Sequence, residues 1–308
     1  MKKEEFTYKS KDNVTDIHAV RYVPDFPPRI VFQIAHGMCE YIERYDTFSR
    51  FLCSNGILVT GNDHLGHGAS VTSKDKWGYF AKKDGYNKVV EDMHELTKIT
   101  KSLYPNCKYV LLGHSMGSFF TRYYLTKYSN DLDGAVIMGT GYQNKTALFF
   151  GRFLICFIRL FKGWNHRSKL INNIAIGSYN KNWEPSKTHM EWLTKDTNIV
   201  NSYISDPACT FNFTLNAYYN MFKCMSKIIS IKHLKNIKSN LPLLLLSGTD
   251  DPVGNFGVGV EKVYKSFINS GHNNIDIKMY ENDRHELLNE IDRNVVFNDI
   301  LKWLSRLL

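Results

Sequence analysis

Several features that define other classes of protein are missing from this 308-residue sequence. The opening residues, MKKEEFTYKSKDNV, have no apolar stretch behind their lysines, so we expect no signal peptide. The longest apolar run, residues 147–161, is broken by a glycine and two arginines and is shorter than the roughly 20 residues that cross a bilayer. No repeat or low-complexity tract is present. These absences predict a cytoplasmic globular protein that touches a membrane, if at all, from its surface.

The six cysteines are scattered along the chain, and no two of them have CxxC spacing. In a chain for which we expect no secretion, this pattern favours reduced thiols over a disulfide framework or a zinc site. His64 and His67 are three residues apart and could bind a metal, but no further ligands accompany them. The sequence therefore predicts a protein that needs no metal and no organic cofactor.

Acidic residues are scarce in the middle of the chain, and residues 134–183 contain none. Residues 143–240 carry fourteen Lys and Arg against four Asp and Glu, whereas the whole chain has a net charge of +9. A basic surface concentrated in one segment favours an anionic partner such as phospholipid headgroups, and the alternative is a solvated surface without a partner. No base-reading motif accompanies the charge, so we expect no nucleic-acid binding.

Hydrophobic residues make up 43% of the chain, and short apolar runs alternate with amphipathic stretches. This alternation favours an α/β fold with a mostly parallel sheet and flanking helices. We predict strands at residues 15–22, 29–35, 57–61, 107–112, 132–138, 241–246 and 275–280, and helices at 43–55, 86–103, 115–128, 259–268 and 294–308. Residues 143–240 contain helical stretches but no convincing strand. The sequence thus predicts a core of residues 1–142 and 241–308 with a helical cap, residues 143–240, inserted into it.

The motif Gly113-His114-Ser115-Met116-Gly117 follows a predicted strand and opens a predicted helix. A serine at a sharp strand-to-helix turn has strained backbone geometry and an exposed hydroxyl, as the nucleophile of a hydrolase requires. The glycines permit the tight turn, and the helix N-terminus directs free N–H groups at a developing oxyanion. The alternative is a glycine-rich turn whose serine caps the helix. We predict that Ser115 is a catalytic nucleophile.

A serine hydroxyl needs a base to accept its proton and a carboxylate to orient that base. Two adjacent acids follow the predicted strand 241–246; we favour Asp251 and keep Asp250 as the alternative. His285, in the loop after the last predicted strand, is the candidate base, whereas we expect His272, before that strand, to face solvent. The chain order of serine, acid and histidine is the order typical of this kind of site.

The oxyanion that forms during acyl transfer needs two backbone N–H donors. One donor follows the nucleophile, and the other comes from the loop after an early strand. The sequence His-Gly-Met at residues 36–38 follows the predicted strand 29–35. We therefore assign the two donors to the N–H groups of Met38 and Met116. Glu40 and Arg44, four residues apart, can form an ion pair that holds this loop.

The segments HGMCEYIERYDTFSRFL, GNDHLGHGAS, LLGHSMGS, LLLLSGTDDPVG and RHELLNE occur in this order over most of the predicted core. Together they resemble the monoacylglycerol lipase and lysophospholipase branch of the α/β-hydrolases, which is similar to serine aminopeptidases. The resemblance implies an α/β-hydrolase fold, and it supports Asp251, three residues after Gly248, as the acid. Ser118 departs from the glycine that many members have at this position. The cap, which sets the substrate, matches more loosely.

The resemblance implies a serine hydrolase that cleaves a lipid carboxylic ester, a monoacylglycerol or a lysophospholipid, through an acyl-enzyme on Ser115. An aminopeptidase or amidase with the same triad and a non-catalytic binding protein of the same fold are the alternatives. Residues 147–161, ALFFGRFLICFIRLF, place Arg152 and Arg159 on nearly one face of an otherwise apolar helix. This pattern fits a helix in contact with an anionic membrane, and equally a cap helix packed on the core with its arginines in water. No pattern predicts the acyl length, the headgroup or an oligomeric state.

Overall fold

The structure is a computed structural model that describes residues 1–308. Its eight strands are β1 Lys2–Lys9, β2 Asp16–Val23, β3 Ile30–Ala35, β4 Leu58–Asn62, β5 Lys108–His114, β6 Gly134–Met138, β7 Leu243–Gly248 and β8 Ile275–Tyr280. They form one sheet in the order β1-β2-β4-β3-β5-β6-β7-β8. The neighbours from β4 to β8 are parallel, whereas β1 and β2 pair antiparallel with each other and β2 pairs antiparallel with β4. The predicted α/β fold with a mostly parallel sheet is confirmed.

Side chains along the central strands alternate between two hydrophobic clusters, one on each face of the sheet. In β5, Tyr109 and Leu111 belong to one cluster, and Val110 and Leu112 belong to the other. All four side chains are fully buried, because successive residues of a strand point to opposite faces and both faces are covered. A continuous apolar run is therefore the sequence signal of such a strand.

Some of the ten helices provide this cover. The helices are α1 Asp46–Ser54, α2 Gly85–Leu103, α3 Met116–Tyr128, α4 Lys145–Lys162, α5 Lys169–Ile176, α6 Thr197–Ser205, α7 Leu215–Ile228, α8 Ile231–Leu234, α9 Val258–Asn269 and α10 Arg293–Ser305. Phe48 of α1 and Phe297 of α10 pack together on one face, with ring centroids 4.8 Å apart. Met93 of α2, Phe120 of α3 and Val260 of α9 belong to the cluster on the other face. None of the helices is both long and apolar enough to span a bilayer.

The seven predicted strands agree with β2 to β8 to within two residues at each end. Strand β1 was not predicted, because its sequence KKEEFTYK contains few apolar residues. It lies at the edge of the sheet, where one side of the strand is exposed and charged side chains are tolerated. At the other edge, β8 was found because its sequence IDIKMY still alternates apolar and polar residues, a pattern that β1 lacks.

The chain between β6 and β7 contains five helices, α4 to α8, and no strand. Helix α7 packs against α4 on one side and against α2 and α3 on the other. Leu215, Tyr218 and Cys224 of α7 belong to the same hydrophobic cluster as the sheet. The inserted segment therefore shares a core with the sheet, and its division from the core at residues 143 and 240 stays a prediction.

Candidate active site

Ser115 lies between the last residue of β5 and the first residue of α3. Its backbone has φ 52° and ψ −120°, which is strained for a residue with a side chain. Its N–H donates to the carbonyl of Met138 at the end of β6, at 3.0 Å. At Gly117 a Cβ atom would lie 2.1 Å from the carbonyl oxygen of Ala35, so only glycine permits α3 to approach β3 this closely. The motif thus forms the sharp strand-to-helix turn that its glycines predicted.

Ser118, which stands where many members of the resembling family have glycine, fits this turn. Its hydroxyl lies 2.6 Å from the Ser115 carbonyl oxygen and 2.8 Å from the hydroxyl of Thr140. The residue is fully buried and its polar atom is satisfied. The departure from glycine therefore adds hydrogen bonds to the turn.

His285 and Asp251 are in direct contact. The Nδ1 atom of His285 lies 3.0 Å from each carboxylate oxygen of Asp251. Asp251 is fully buried, and its Oδ1 also accepts the N–H of Val253 at 2.8 Å. Asp250 is partly exposed and makes no hydrogen bond to His285. The structure thus brings the favoured acid, and not its neighbour, against the candidate base.

The imidazole of His285 is held between the rings of His114 and Trp192, with centroids 4.8 Å and 5.1 Å away. Its Nε2 atom is buried and makes no hydrogen bond within the protein. Met138, whose carbonyl accepts the Ser115 N–H, is followed by Gly139. A Cβ atom on Gly139 would lie 3.0 Å from His285 Cε1, so the imidazole packs directly against this glycine. Ser115 and His285 also line the same cavity. No hydrogen bond joins them in this structure, but catalytic hydrogen bonds often tighten only when substrate binds.

The loop after β3 runs beside Ser115. A Cβ atom on Gly37 would lie 3.1 Å from the Cβ of Ser115. The N–H of Met38, the next residue, makes no hydrogen bond to another backbone group or to a side chain. Met116 is the first residue of α3, where the N–H groups have no partner within the helix. Two unused amide donors therefore lie on the two segments that flank Ser115.

A buried network of charged side chains connects this loop to the His285 loop. Arg44 binds Glu286 through two nitrogens at 2.8 Å and 2.9 Å, and Glu40 at 3.1 Å. Glu40 accepts from the Tyr45 hydroxyl at 2.9 Å and lies 3.1 Å from Nδ1 of His114. The Nε2 of His114 in turn lies 3.2 Å from the carbonyl oxygen of His285. The network therefore holds both loops in register.

The ionisation of the network follows from its contacts. Burial alone would raise the pKa of Glu40, but the hydrogen bond and charge of His114 and the charge of Arg44 outweigh it and hold the pKa low. Burial would lower the pKa of His114, but Glu40 outweighs it and raises the pKa. The sequence predicted the pair of Glu40 and Arg44 but not the part that Glu286 plays. The one sequence feature that pointed to Glu286 is its position directly after His285.

Other polar clusters of the chain are structural. His36, His64 and His67 are buried with their rings against one another, and burial lowers the pKa of His64 to about 4 and that of His67 to about 3. The expectation that His272 faces solvent was wrong. It is buried, and its Nε2 lies 2.8 Å from the carbonyl oxygen of Leu241, because the turn that carries it folds back onto the start of β7.

Three carboxylates, those of Asp283, Glu290 and Asp292, have oxygens within 4.8 Å of one another and could hold a cation. The ammonium group of Lys195 contacts all three, so a side chain of the chain itself supplies the positive charge. This group of residues therefore joins the inserted segment to the His285 loop.

A cavity of about 1230 Å³ lies above Ser115, between the inserted helices and the sheet. Apolar side chains from α3, α4 and α7 line it, among them Phe119, Leu148, Met221, Phe222 and Met225. Amide and hydroxyl side chains also line it, among them Asn172, Ser178, Asn180, Ser186 and Thr188. The cavity can thus hold a molecule that has both apolar and hydrogen-bonding groups.

Helix α4 turns one apolar face outward. Leu148 and Ile155 are buried, but six large apolar side chains are each more than half exposed, namely Phe149, Phe150, Phe153, Phe157, Leu160 and Phe161. Leu170 and Ile174 of α5 are exposed to a similar degree. Contiguous apolar surface of this kind marks a site of contact with another apolar surface. Helix α4 is therefore not a cap helix that is buried on all its apolar sides.

The chain is similar to known hydrolases over most of its length. A family model described as "Serine aminopeptidase, S33" matches residues 27–292. A monoglyceride lipase homolog from Monkeypox virus is 29% identical over 283 residues, which cover 91% of this chain and 90% of that protein. A monoacylglycerol lipase from Mycolicibacterium smegmatis is 23% identical over 304 residues, covering 96% and 97%. A thermostable carboxyl esterase from Bacillus coagulans, solved in complex with glycerol, has a TM-score of 0.92 at 28% identity, covering 100% and 99%.

Proposed function

The chain belongs to the serine aminopeptidase S33 family of α/β-hydrolases, and on this premise we propose that it hydrolyses the carboxylic ester of a lipid, a monoacylglycerol or a lysophospholipid. The observation that carries the proposal is the contact of His285 with Asp251, since His285 and Ser115 line the same cavity and this cavity has apolar walls. Names of relatives that refer to monoacylglycerol cleavage support the same substrate class.

In the proposed reaction, Nε2 of His285 accepts the proton of Ser115 while the serine oxygen attacks the ester carbonyl. The N–H groups of Met38 and Met116 stabilise the oxyanion that forms. The alcohol then leaves with the proton from His285, and an acyl-enzyme remains on Ser115. A water molecule, deprotonated by His285, attacks this acyl group and releases the fatty acid. Asp251 holds the His285 Nδ1–H and stabilises the imidazolium in both steps.

The cavity supports a lipid ester as the substrate. Its apolar walls at Leu148, Phe222 and Met225 suit an acyl chain. The amide nitrogen of Asn172 and the hydroxyl of Ser178 make no hydrogen bond within the protein and suit the hydroxyls of a glycerol group. Lys187 and Lys262 also line the cavity, and neither forms an ion pair within the protein. Two free ammonium groups are compatible with the phosphate of a lysophospholipid.

An aminopeptidase with the same residues is the second candidate, because the family is named for that activity. Such an enzyme has to bind the free ammonium group of its substrate, which calls for an unpaired carboxylate near the nucleophile. Glu40 and Glu286 line the cavity but are both bound to Arg44. Glu184 also lines the cavity and is unpaired, but the two unpaired lysines, Lys187 and Lys262, outnumber it in the same lining. This charge arrangement favours the ester.

A substrate panel tests the proposal. We expect release of fatty acid from monoacylglycerols or lysophosphatidylcholine, with little release of amine from aminoacyl arylamides. Ser115→Ala should abolish turnover and labelling by a fluorophosphonate, whereas Ser266→Ala, on the surface of α9, should change neither. Turnover of the arylamides alone would favour the peptidase. If the wild type showed neither turnover nor labelling, the result would favour a non-catalytic binding protein of the same fold.

We further propose that α4 rests on an anionic membrane. Its exposed phenylalanines suit the acyl boundary of a bilayer, and Arg159 and Lys162 in its last turn suit anionic headgroups. Phe157→Ser/Phe161→Ser should weaken flotation with phosphatidylglycerol vesicles, whereas Phe26→Ser, on an exposed loop, should not. Equal flotation of all three proteins would exclude α4 as the contact. All six cysteines are free thiols, which supports a cytoplasmic location.

A further inference from the structure

A second cavity, of about 450 Å³, lies apart from the Ser115 site. It is formed by the turn between β1 and β2, the segment that follows β4 and the first turns of α2. Because β4 ends and β2 begins at the carboxyl edge of the parallel strands, this cavity lies at the same edge of the sheet as the first. The second cavity lies beside the ends of β2 and β4, whereas Ser115 follows β5. No residue of the proposed mechanism lines the second cavity.

The lining of this cavity is strongly basic. Five lysines and a single acid contribute to it, namely Lys11, Lys76, Lys82, Lys83, Lys88 and Asp12. Lys11 is paired with Glu95 and Lys76 with Asp75. The other three lysines, at positions 82, 83 and 88, form no ion pair. Three lysines without an ion pair therefore line one small space, and of these Lys82 and Lys83 are exposed whereas Lys88 is half-buried.

The acids nearby neutralise these lysines only in part. The carboxylate of Asp12 is turned into its own loop, where it accepts the N–H groups of Val14 and Thr15 and the hydroxyl of Thr15, each at 2.8 Å. Asp84, next to the cavity in the chain, is bound to Lys223 at 3.0 Å, and the charges of Lys88 and Lys83 also help to lower its pKa. Asp84 therefore offsets part of the lysine charge without forming an ion pair with either lysine, and the cavity keeps a net positive charge.

The remaining walls offer a hydroxyl and an apolar surface. Ser70 is fully buried, and its oxygen accepts the N–H of His18 at 2.9 Å, but its own proton has no acceptor in the protein. Leu65, Val71 and Phe80 line the same cavity beside it. A ligand bound here would meet cations, one unused donor and apolar contacts together.

We propose that this cavity binds the phosphate group of a small organic phosphate, with the organic part against Leu65, Val71 and Phe80. Lysine ammonium groups bind phosphate as point charges, and a phosphate dianion can engage two or three of them at once. A simple carboxylate carries one charge and would leave part of the lysine cluster unpaired. The phosphate can belong to a free metabolite or to the headgroup of an anionic phospholipid.

Binding of phenyl phosphate, followed by calorimetry, tests the free-metabolite source. Lys82→Gln/Lys88→Gln should raise the Kd by about tenfold or more, since a charged hydrogen bond of this kind is lost at each position. The matched control is Lys232→Gln/Lys235→Gln, which removes two exposed, unpaired lysines, one in α8 and one directly after it. Both lie before β7, at the opposite edge of the sheet. It should leave the Kd within about twofold. Ester hydrolysis by both variants verifies that they are folded.

Flotation with phosphatidylcholine vesicles that contain phosphatidic acid tests the headgroup source with the same two variants. If Lys82→Gln/Lys88→Gln binds phenyl phosphate more weakly and the control pair does not, the result supports a free ligand. If Lys82→Gln/Lys88→Gln loses only its binding to the vesicles, the result supports a phospholipid headgroup. Equal weakening by the control pair in both assays would show a general charge effect and overturn the proposal. So would wild-type protein that binds neither probe.

Discussion

Replacing Asp251 with asparagine is the sharpest single test of the candidate site. Both carboxylate oxygens lie 3.0 Å from His285 Nδ1, and Oδ1 also accepts the N–H of Val253. Because that N–H needs an oxygen acceptor, the amide oxygen should take the Oδ1 position and the NH₂ group the Oδ2 position. The NH₂ group and the amide oxygen then both lie near Nδ1 of His285, but the amide oxygen is already engaged by Val253 and carries no full charge. Donation from the NH₂ group to Nδ1 favours the tautomer with its proton on Nε2, which cannot accept the proton of Ser115.

The size of the effect follows from this geometry. Loss of the correct tautomer and of the charge that stabilises the imidazolium lowers kcat by about 10⁴ in serine hydrolases of this type, or about 5.5 kcal/mol in the barrier. Asp251 itself does not line the cavity, so KM should change little. The variant should still fold, because asparagine has nearly the same volume as aspartate.

Steady-state hydrolysis of a monoacylglycerol or an aryl ester measures both constants. Asp250→Asn is the matched control, since it makes the same substitution one residue away, at a partly exposed carboxylate with no contact to His285. We expect it to retain kcat to within about twofold. If Asp250→Asn were the more damaging change, or if Asp251→Asn retained most of its activity, the assignment of the acid would be refuted.

Three further substitutions test the surroundings of the site. Ser115→Gly should be inactive but more stable than Ser115→Ala by about 1 kcal/mol, because φ 52° with ψ −120° strains a residue with a Cβ; equal melting temperatures would contradict the strain. Arg44→Met should cost about 3–5 kcal/mol in urea unfolding, because it leaves the carboxylates of Glu40 and Glu286, each 4% exposed, without their shared cation; a loss below about 1 kcal/mol would contradict this. Burial lowers the pKa of folded His67 to about 3 from 6.5, so the unfolded chain binds the extra proton and stability falls as the pH falls below about 6.5. His67→Phe should reduce the slope of the unfolding free energy against pH by up to about 1.4 kcal/mol per pH unit, measured by urea unfolding from about pH 6 to pH 4. An unchanged slope would show that His67 is not the source of the loss.

Much of the fold could be predicted because its signals are local. A buried parallel strand needs a continuous apolar run, and β5, β6 and β7 each have one. The turn at Ser115 needs a residue without a side chain where α3 meets β3, and Gly117 provides it. Strand β1 escaped prediction because an edge strand does not need an apolar run, and its sequence KKEEFTYK is mostly charged and polar.

The site could be predicted in part. Loops at the ends of parallel strands meet at one edge of the sheet, so the segments of Ser115, Asp251 and His285 were expected to come together. The burial of His272 and the pairing of Arg44 with Glu286 were not expected, because the contacting residues are 31 and 242 positions apart along the chain. Such pairs leave no pattern in the neighbouring residues.

By itself the sequence determined the α/β architecture, the turn that carries Ser115 and the chain order of the candidate triad, since each depends on backbone geometry within a few residues. The tertiary structure decided which of two adjacent carboxylates contacts His285, how Arg44 joins the two loops, and that lysines from separate segments surround one cavity. These features depend on the relative positions of distant segments, which are set by the packing of the whole core.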